Sequence, residues 1–125
     1  MVPRWWRRWF GQSGERAAAK YLRKLGYRIV ARGARSRWGE VDLIALDRDT
    51  VVFVEVKTRQ SDRFGAPFES VTPHKQRQLT RAAAAWLKSR NLLHARARFD
   101  VVAIVWPSGG APEITHYRNA FSSAE

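Results

Sequence analysis

Two short apolar runs separated by a polar segment dominate the middle of the chain. Residues 41–46 and 51–56 are rich in β-branched and aliphatic side chains, and residues 47–50 (Asp-Arg-Asp-Thr) have the composition of a turn. This pattern predicts a β-hairpin. Both faces of the hairpin are mostly apolar, so we expect it to lie in the middle of a covered sheet.

Apolar residues at helical spacing flank the hairpin on both sides. The first stripe predicts a helix over residues 11–25, with Ser13 as its N-cap and Gly26 just after its end. Thr72 followed by Pro73 predicts the start of a second helix. The stripes consist of Ala18, Tyr21, Leu22 and Leu25 in the first helix and of Leu79, Ala83, Trp86 and Leu87 in the second.

Three further segments have strand character. Residues 27–31 precede a basic loop at residues 35–38, residues 98–106 have no clean polar side and predict a central strand, and residues 113–118 predict an edge strand. A strand, a long helix and a strand in succession imply a right-handed crossover with parallel pairing. The predicted fold is therefore an α/β domain whose mixed central sheet is flanked by helices.

The length of 125 residues predicts one domain. We assign it to residues 11–121, with an N-terminal arm at residues 1–10 and a frayed tail at residues 122–125. The arm interleaves tryptophan and arginine. Its aromatic side chains could stack on unpaired bases, lie in a lipid headgroup layer, or pack on the domain, and the pattern leaves these alternatives open.

The chain is strongly basic, with 23 Lys and Arg against 11 Asp and Glu and a formal net charge of +12. Such a charge favours a polyanionic partner, either nucleic acid or an anionic membrane surface. A general bias towards arginine on solvated faces is the alternative. The absence of cysteine excludes disulfides, thiol catalysis and zinc–cysteine clusters. No apolar run is long enough to span a bilayer, so we expect a cytoplasmic protein without stable membrane insertion.

The hairpin register brings charged groups together at its open end. With a turn centred on residues 48–49, Asp42 lies opposite Glu55, with Cβ atoms roughly 4.5–5.5 Å apart, and Glu40 and Lys57 share their face. Two opposed carboxylates favour Mg²⁺, or Mn²⁺, as the compensating charge. Lys57 could then hold an attacking water or stabilise charge on phosphorus. The alternative is a solvated hairpin end with a surface bridge between Lys57 and Glu40.

Other polar residues are placed where they could support this site. Glu15 lies in line with the first apolar stripe, although the helix dipole alone would explain an acid there. Gln76 is on the second stripe and either reaches the site or is an edge residue, and Asp100 is assigned a structural role. The candidate contacts to nucleic-acid phosphates, which could equally be solubilising charges, are Arg35, Arg37, Arg59, Arg63 and Lys75.

Several segments together resemble a known group of proteins. GERAAAKYL, GEVDLIA, VFVEVKTR, the helix at residues 71–87 and RFDVVAI are similar to the YraN-like group of uncharacterised, endonuclease-like bacterial proteins, within the PD-(D/E)xK nuclease superfamily. The resemblance implies a restriction-endonuclease-like core. It also implies Mg²⁺ binding by Asp42, Glu55 and Glu15, with the main-chain carbonyl of Val56 as a further ligand, and assistance of the attacking water by Lys57.

The pattern is also similar to archaeal Holliday-junction resolvases, which act as dimers on branched DNA. The leading hypothesis is therefore a Mg²⁺-dependent endonuclease acting on branched or damaged DNA, with a homodimer as the implied assembly. The alternative is a nucleic-acid-binding module that keeps the fold but does not cleave, and a third hypothesis is association with a membrane surface through residues 1–10.

Overall fold

The structure is a computed structural model that describes residues 4–59, 71–107 and 109–122. These residues form one five-stranded sheet in the order β1-β2-β3-β4-β5. Strands β3 and β4 are parallel, and every other neighbouring pair is antiparallel. The elements in chain order are α1 (Arg4–Lys24), β1 (Arg28–Ser36), β2 (Gly39–Asp47), β3 (Thr50–Arg59), α2 (Pro73–Ser89), β4 (Arg96–Val105) and β5 (Glu113–Phe121).

The predicted α/β class is confirmed, since helices flank a mixed sheet in an arrangement consistent with a restriction-endonuclease-like core. The hairpin is β2–β3, and α2 makes the crossover to the parallel strand β4. Each face of the sheet has its own buried cluster. The α1-side cluster includes Ala18, Leu22, Leu43, Val54 and Val102, and the α2-side cluster includes Ile44, Phe53, Leu79, Ala83 and Val101.

Local signals placed two of the helix boundaries. The Thr72 hydroxyl accepts a hydrogen bond from the Lys75 amide at 3.1 Å, with Pro73 as the first helical residue, as predicted. At the end of α1, Gly26 has φ 96°, and the amides of Gly26 and Tyr27 bond back to the carbonyls of Arg23 and Leu22 at 2.9 and 3.0 Å. These two bonds form a Schellman motif, which requires a left-handed residue that glycine adopts at low cost.

Two predicted boundaries were wrong. Helix α1 begins at Arg4, so Ser13 lies inside it and is not its N-cap. A residue acts as an N-cap only where the chain before it is not helical. Residues 4–12 contain no proline that would interrupt a helix. Strand β1 extends to Ser36, so Arg35 is a strand residue and the turn is confined to residues 37–38. Among the described residues, no helix is both long and apolar enough to cross a membrane.

Candidate metal centre

The register of the central hairpin agrees with the prediction. Leu46 pairs with Val51 and Ile44 with Phe53, and the ladder ends at Leu43 and Val54. One residue further on, the Asp42 side chain replaces the ladder: its Oδ2 accepts a hydrogen bond from the Val56 amide at 2.8 Å. The Asp42 carboxylate is therefore held against β3 at the level of Glu55 and Val56.

Strand β2 changes its facing at Asp42. Strict alternation predicted that Val41 would share a face with Leu43 and Ala45. This was wrong, because Val41 packs in the α2-side cluster with Ile44, whereas Leu43 and Ala45 pack on the α1 side. The interruption lies where the β2–β3 ladder ends, although β2 stays paired with β1 through Val41. Asp42 thus lies where β2 leaves β3, within reach of charged side chains from both helices.

On the α1 side, Glu15 and Glu40 approach Asp42. Each of the three residues offers a carboxylate oxygen, and these oxygens all lie within 4.8 Å of one another. Helix α1 can bring Glu15 this close because its neighbour in the chain is Gly14. A Cβ atom at Gly14 would overlap the methyl group of Thr58 on β3, so only glycine allows this approach without displacement.

On the β3 side, two lysines flank Glu55. Glu55 is 7% exposed. Its carboxylate lies 3.9 Å from the Lys57 ammonium and 3.8 Å from the Lys75 ammonium. Lys75 points towards Glu55 and not away from the sheet on the outer face of α2. Because α2 begins at Pro73, Lys75 is in its first turn, and this turn lies beside the end of β3.

The carboxylates of the cluster are only partly compensated, because the two lysines lower the pKa of Glu55 by less than burial and Asp42 raise it. Burial raises the pKa of Glu55 to about 7, and the nearby charge of Asp42 adds to this effect. Burial also raises the pKa of Asp42. The pKa of Glu15 is raised to about 7 by burial, then by Asp42 and Glu40. Without a bound cation, Glu55 and Glu15 are therefore partly protonated near neutral pH.

The remaining predicted residues have identifiable places. Gln76 donates from Nε2 to the Val71 carbonyl at 2.8 Å, so its amide holds the chain just before α2. Arg35 pairs with Glu40 at 3.3 Å, and the Arg37 guanidinium lies 4.6 Å from the centre of the Trp38 ring. Arg59 is the last residue of β3. Arg63 lies outside the described residues.

Glu40 and Lys75 extend the site that the sequence predicted. Period-two alternation put Glu40 on the charged face, but only as a surface partner of Lys57; instead, Glu40 pairs with Arg35 and joins Glu15 and Asp42. The signal for Lys75 was its position in the first turn after Thr72, on the helix that leads back across the sheet. The contacts of Glu40 with Glu15 and of Lys75 with Glu55 join different elements, so the residue spacing within one strand or helix does not predict them.

A second buried carboxylate, Asp100, has different surroundings. It accepts hydrogen bonds from Arg98 Nε at 2.9 Å and the Asn119 amide at 2.9 Å, and its other oxygen is 2.7 Å from His116 Nε2. Burial alone would raise its pKa, but the hydrogen bonds from His116, Arg98 and Asn119 outweigh burial and hold the pKa below its ordinary value. The contact with Arg98 agrees with the structural role assigned to Asp100.

The chemistry of the donor set fits a hard divalent cation. Glu15, Glu40 and Asp42 converge with carboxylate oxygens, the ligand type that Mg²⁺ prefers, and Glu55 lies beside Asp42. A divalent cation would lower the electrostatic cost that raises these pKa values. The fold and this cluster define the class of protein: an α/β domain with a candidate cation centre at the open end of its central hairpin.

The sequence places the chain in a family. The model of the uncharacterised protein family UPF0102 matches residues 14–104, and the chain belongs to this family. It is 53% identical over 114 residues to a UPF0102 protein of Geobacter sulfurreducens, covering 91% of this chain and 89% of that protein. It is 50% identical over 111 residues to a UPF0102 protein of Rhodococcus jostii, covering 89% of this chain and 94% of that protein.

Proposed function

We propose that this protein is a Mg²⁺-dependent endonuclease of the PD-(D/E)xK type that hydrolyses phosphodiester bonds in DNA in the cytoplasm. The observation that carries the proposal is the position of Asp42. Its carboxylate has Glu15 and Glu40 on one side and Glu55 on the other, and two lysines lie beside Glu55. Carboxylates beside a lysine in a raised-pKa environment are suited to phosphoryl chemistry.

We assign the residues of the site the following roles as part of this proposal. Asp42, Glu55 and Glu15 would hold the cation, with the Val56 carbonyl as a further ligand, and Glu40 adds a carboxylate beside Asp42. When bound, Mg²⁺ supplies polarisation of a phosphoryl oxygen and a more acidic water. Lys57 is placed to orient the attacking water through its ammonium, and Lys75 to offset negative charge on the phosphate. Gln76 supports the site indirectly by holding the start of α2.

DNA is the proposed substrate because the chain carries a net charge of +12. Arg35, Arg37, Arg59 and Arg63 remain proposed contacts to the phosphate backbone, as does Lys75. We further propose a branched or damaged substrate, such as a four-way junction, cut by a homodimer. Two-fold symmetry would give such an enzyme two equivalent sites on a symmetric junction.

The test compares the wild-type protein with Asp42→Asn and Glu55→Gln. Metal binding would be followed by calorimetry with Mg²⁺ or Mn²⁺, and cleavage with labelled linear, flap and four-way-junction DNA. We expect metal-dependent cleavage by the wild type and a loss of about 10²–10³-fold or more in each variant. Asp49→Asn, which removes an exposed carboxylate in the hairpin turn, is the matched control and should retain activity.

The outcome that contradicts catalysis is specific. Suppose that the wild type binds DNA without cleaving it, and that neither metal nor Asp42→Asn changes this binding. The protein is then a non-catalytic nucleic-acid-binding module on a nuclease-like fold. Salt-sensitive binding alone would fit that second function, since the net charge supports it without any contribution from the carboxylates. Light scattering with and without junction DNA tests the homodimer, which a monomeric complex would contradict.

A further inference from the structure

The outer side of α2 carries a basic groove with an apolar floor. Leu93, a large apolar residue in the groove, is 60% exposed, and Ala84 on α2 is also exposed. The groove has a volume of about 530 Å³, and its charged lining residues are all cations. We call this surface the α2 platform, and it consists of Arg37, Trp38, Arg81, Ala84, Ala85, Lys88 and Leu93.

Trp38 gives the platform a rigid aromatic centre. Its ring is half-buried against the α2-side core, and the guanidinium groups of Arg37 and Arg81 lie 4.6 and 5.1 Å from its centroid. A similar pair lies on the other side of Ala85, where the Arg90 guanidinium is 4.3 Å from the centroid of Trp86. Aromatic rings and arginine planes are the side-chain surfaces on which unpaired bases stack.

Helix α2 connects the platform with the candidate metal centre. The turn that carries Trp38 lies directly on α2. The approach is so close that a Cβ atom at Gly39 would overlap the Gln78 amide. Gln78 is one helical turn beyond Lys75, which contacts Glu55. With a rise of 1.5 Å per residue, Arg81 lies about 9 Å along the axis from Lys75. Along the helix axis, Arg81 of the platform thus lies within two turns of Lys75, which contacts Glu55.

We propose that the α2 platform binds an unpaired strand of the DNA substrate, next to the site of cleavage. Bases would lie on the Trp38–arginine stack and the apolar floor, and Arg37, Arg81 and Lys88 would contact the phosphates. A base-paired duplex buries the faces of its bases, so the apolar floor favours single-stranded over duplex DNA. An acidic protein would pair with the cations of the platform, but its carboxylates would not stack on the Trp38–arginine surface. The substrate assignment rests on the proposed function, whereas the binding can be measured without cleavage.

The first experiment places a charge on the platform without removing any of its contacts. Ala84→Glu and Ala84→Gln add side chains of similar size at an exposed helical position, and only the former adds negative charge. Binding would be measured by fluorescence anisotropy in EDTA, with a blunt duplex and with the same duplex extended by a single-stranded tail. We expect Ala84→Glu to weaken binding of the tailed duplex about tenfold, and Ala84→Gln to stay within about threefold of wild type.

The second experiment removes charge from the platform. Arg37→Gln with Arg81→Gln should reduce the slope of log K against log salt for the tailed duplex by about 1.4, because each contact to a single-stranded phosphate contributes about 0.7. The matched control is Lys20→Gln with Arg23→Gln, an equal change in net charge on exposed positions of α1. The control pair should leave the preference for the tailed duplex unchanged.

Three results would overturn the proposal. One is an equal loss of affinity for the tailed duplex in the control pair, and another is an equal loss of affinity for blunt and tailed DNA. Either result would mean that the variants act only through the net charge of the protein. The third is competition by polyglutamate that matches an equally charged single strand, which would indicate an acidic protein partner. If the expected binding differences appear but no DNA is cleaved, the platform stands and the catalytic proposal fails. Cleavage without any preference for tailed DNA contradicts the platform alone.

Discussion

The sheet contains two buried carboxylate clusters, and they differ in how their charge is compensated. Asp100 on β4 is fully buried and pairs in register with Val54, the residue before Glu55 on β3. Asp100 is bonded to Arg98, His116 and the Asn119 amide, and its pKa is lowered. Glu55 is nearly as buried, yet burial and Asp42 raise its pKa to about 7. Burial alone therefore does not mark a candidate functional carboxylate, whereas burial next to a second carboxylate, with a raised pKa, does.

The largest expected effect comes from breaking the compensated cluster. Asp100→Asn leaves the Arg98 guanidinium with less compensation, although Arg98 also bonds Asp47 at 3.0 Å. Removing one partner of a buried pair typically costs about 3–5 kcal/mol, and we expect the free energy of unfolding in urea to fall by about 3 kcal/mol. Glu55→Gln without metal should cost less than about 1 kcal/mol or stabilise the protein. The reverse order of the two variants would refute the comparison.

The next effect is stabilisation of the partly compensated cluster of Glu15, Glu40, Asp42 and Glu55 by metal. At a Mg²⁺ concentration of 100 times Kd, binding to the folded state alone raises the free energy of unfolding by about 2.7 kcal/mol. Thermal unfolding with Mg²⁺ and after addition of EDTA would measure this increment. Asp42→Asn should lose most of it, whereas Asp100→Asn should retain it from its lower baseline. An increment that survives Asp42→Asn would locate the ion elsewhere.

The two clusters should also differ in the sign of their pH dependence. For Glu55 and Glu15, the folded-state pKa is about 7 against an ordinary 4.5, so the folded state binds more protons than the unfolded state between these values. Without metal, stability should therefore fall as pH rises through this window, by about 1–2 kcal/mol. Glu55→Gln should flatten the profile.

Asp100 makes the opposite contribution. Its folded pKa lies below the ordinary 3.8, so its stabilisation is present above that pH and is lost as the solution becomes more acidic. Urea unfolding across the acidic and neutral range measures both parts of the profile. A metal-free protein whose stability rises steadily from pH 5 to about pH 7 would contradict the raised pKa values of the carboxyls in the candidate metal centre.

The smallest expected effect tests how α1 positions Glu15. In Gly14→Ala, overlap with the Thr58 methyl group should cost about 1–3 kcal/mol, and the better helix propensity of alanine returns about 1 kcal/mol. We expect a net loss of about 1 kcal/mol in urea unfolding, with weaker Mg²⁺ binding by calorimetry. Adding Thr58→Ser removes the overlapping methyl group and should restore both properties. Failure of this rescue would mean that the contact does not place Glu15.

Much of the fold was predictable because its signals are local. Thr72 with Pro73 marked the start of α2, Gly26 marked the end of α1, and the turn between β2 and β3 predicted the register that puts Asp42 at the level of Glu55. The start of α1 was not predictable from Ser13, because a capping side chain acts only where the helix actually begins. Strict alternation also predicted the wrong face for Val41, which lies beyond the end of the β2–β3 ladder.

The sequence by itself determined the elements, their order and the convergence of Asp42, Glu55 and Lys57, because turn chemistry and strand periodicity act over a few residues. Only the tertiary structure decided which distant groups join them. Glu40 and Lys75 reach the carboxylates through the end of the β2–β3 ladder and the placement of α2. Tertiary contacts likewise decided that the pKa of Asp100 is lowered and that of Glu55 is raised, since a pKa depends on every charge and dipole nearby, whatever its distance along the chain.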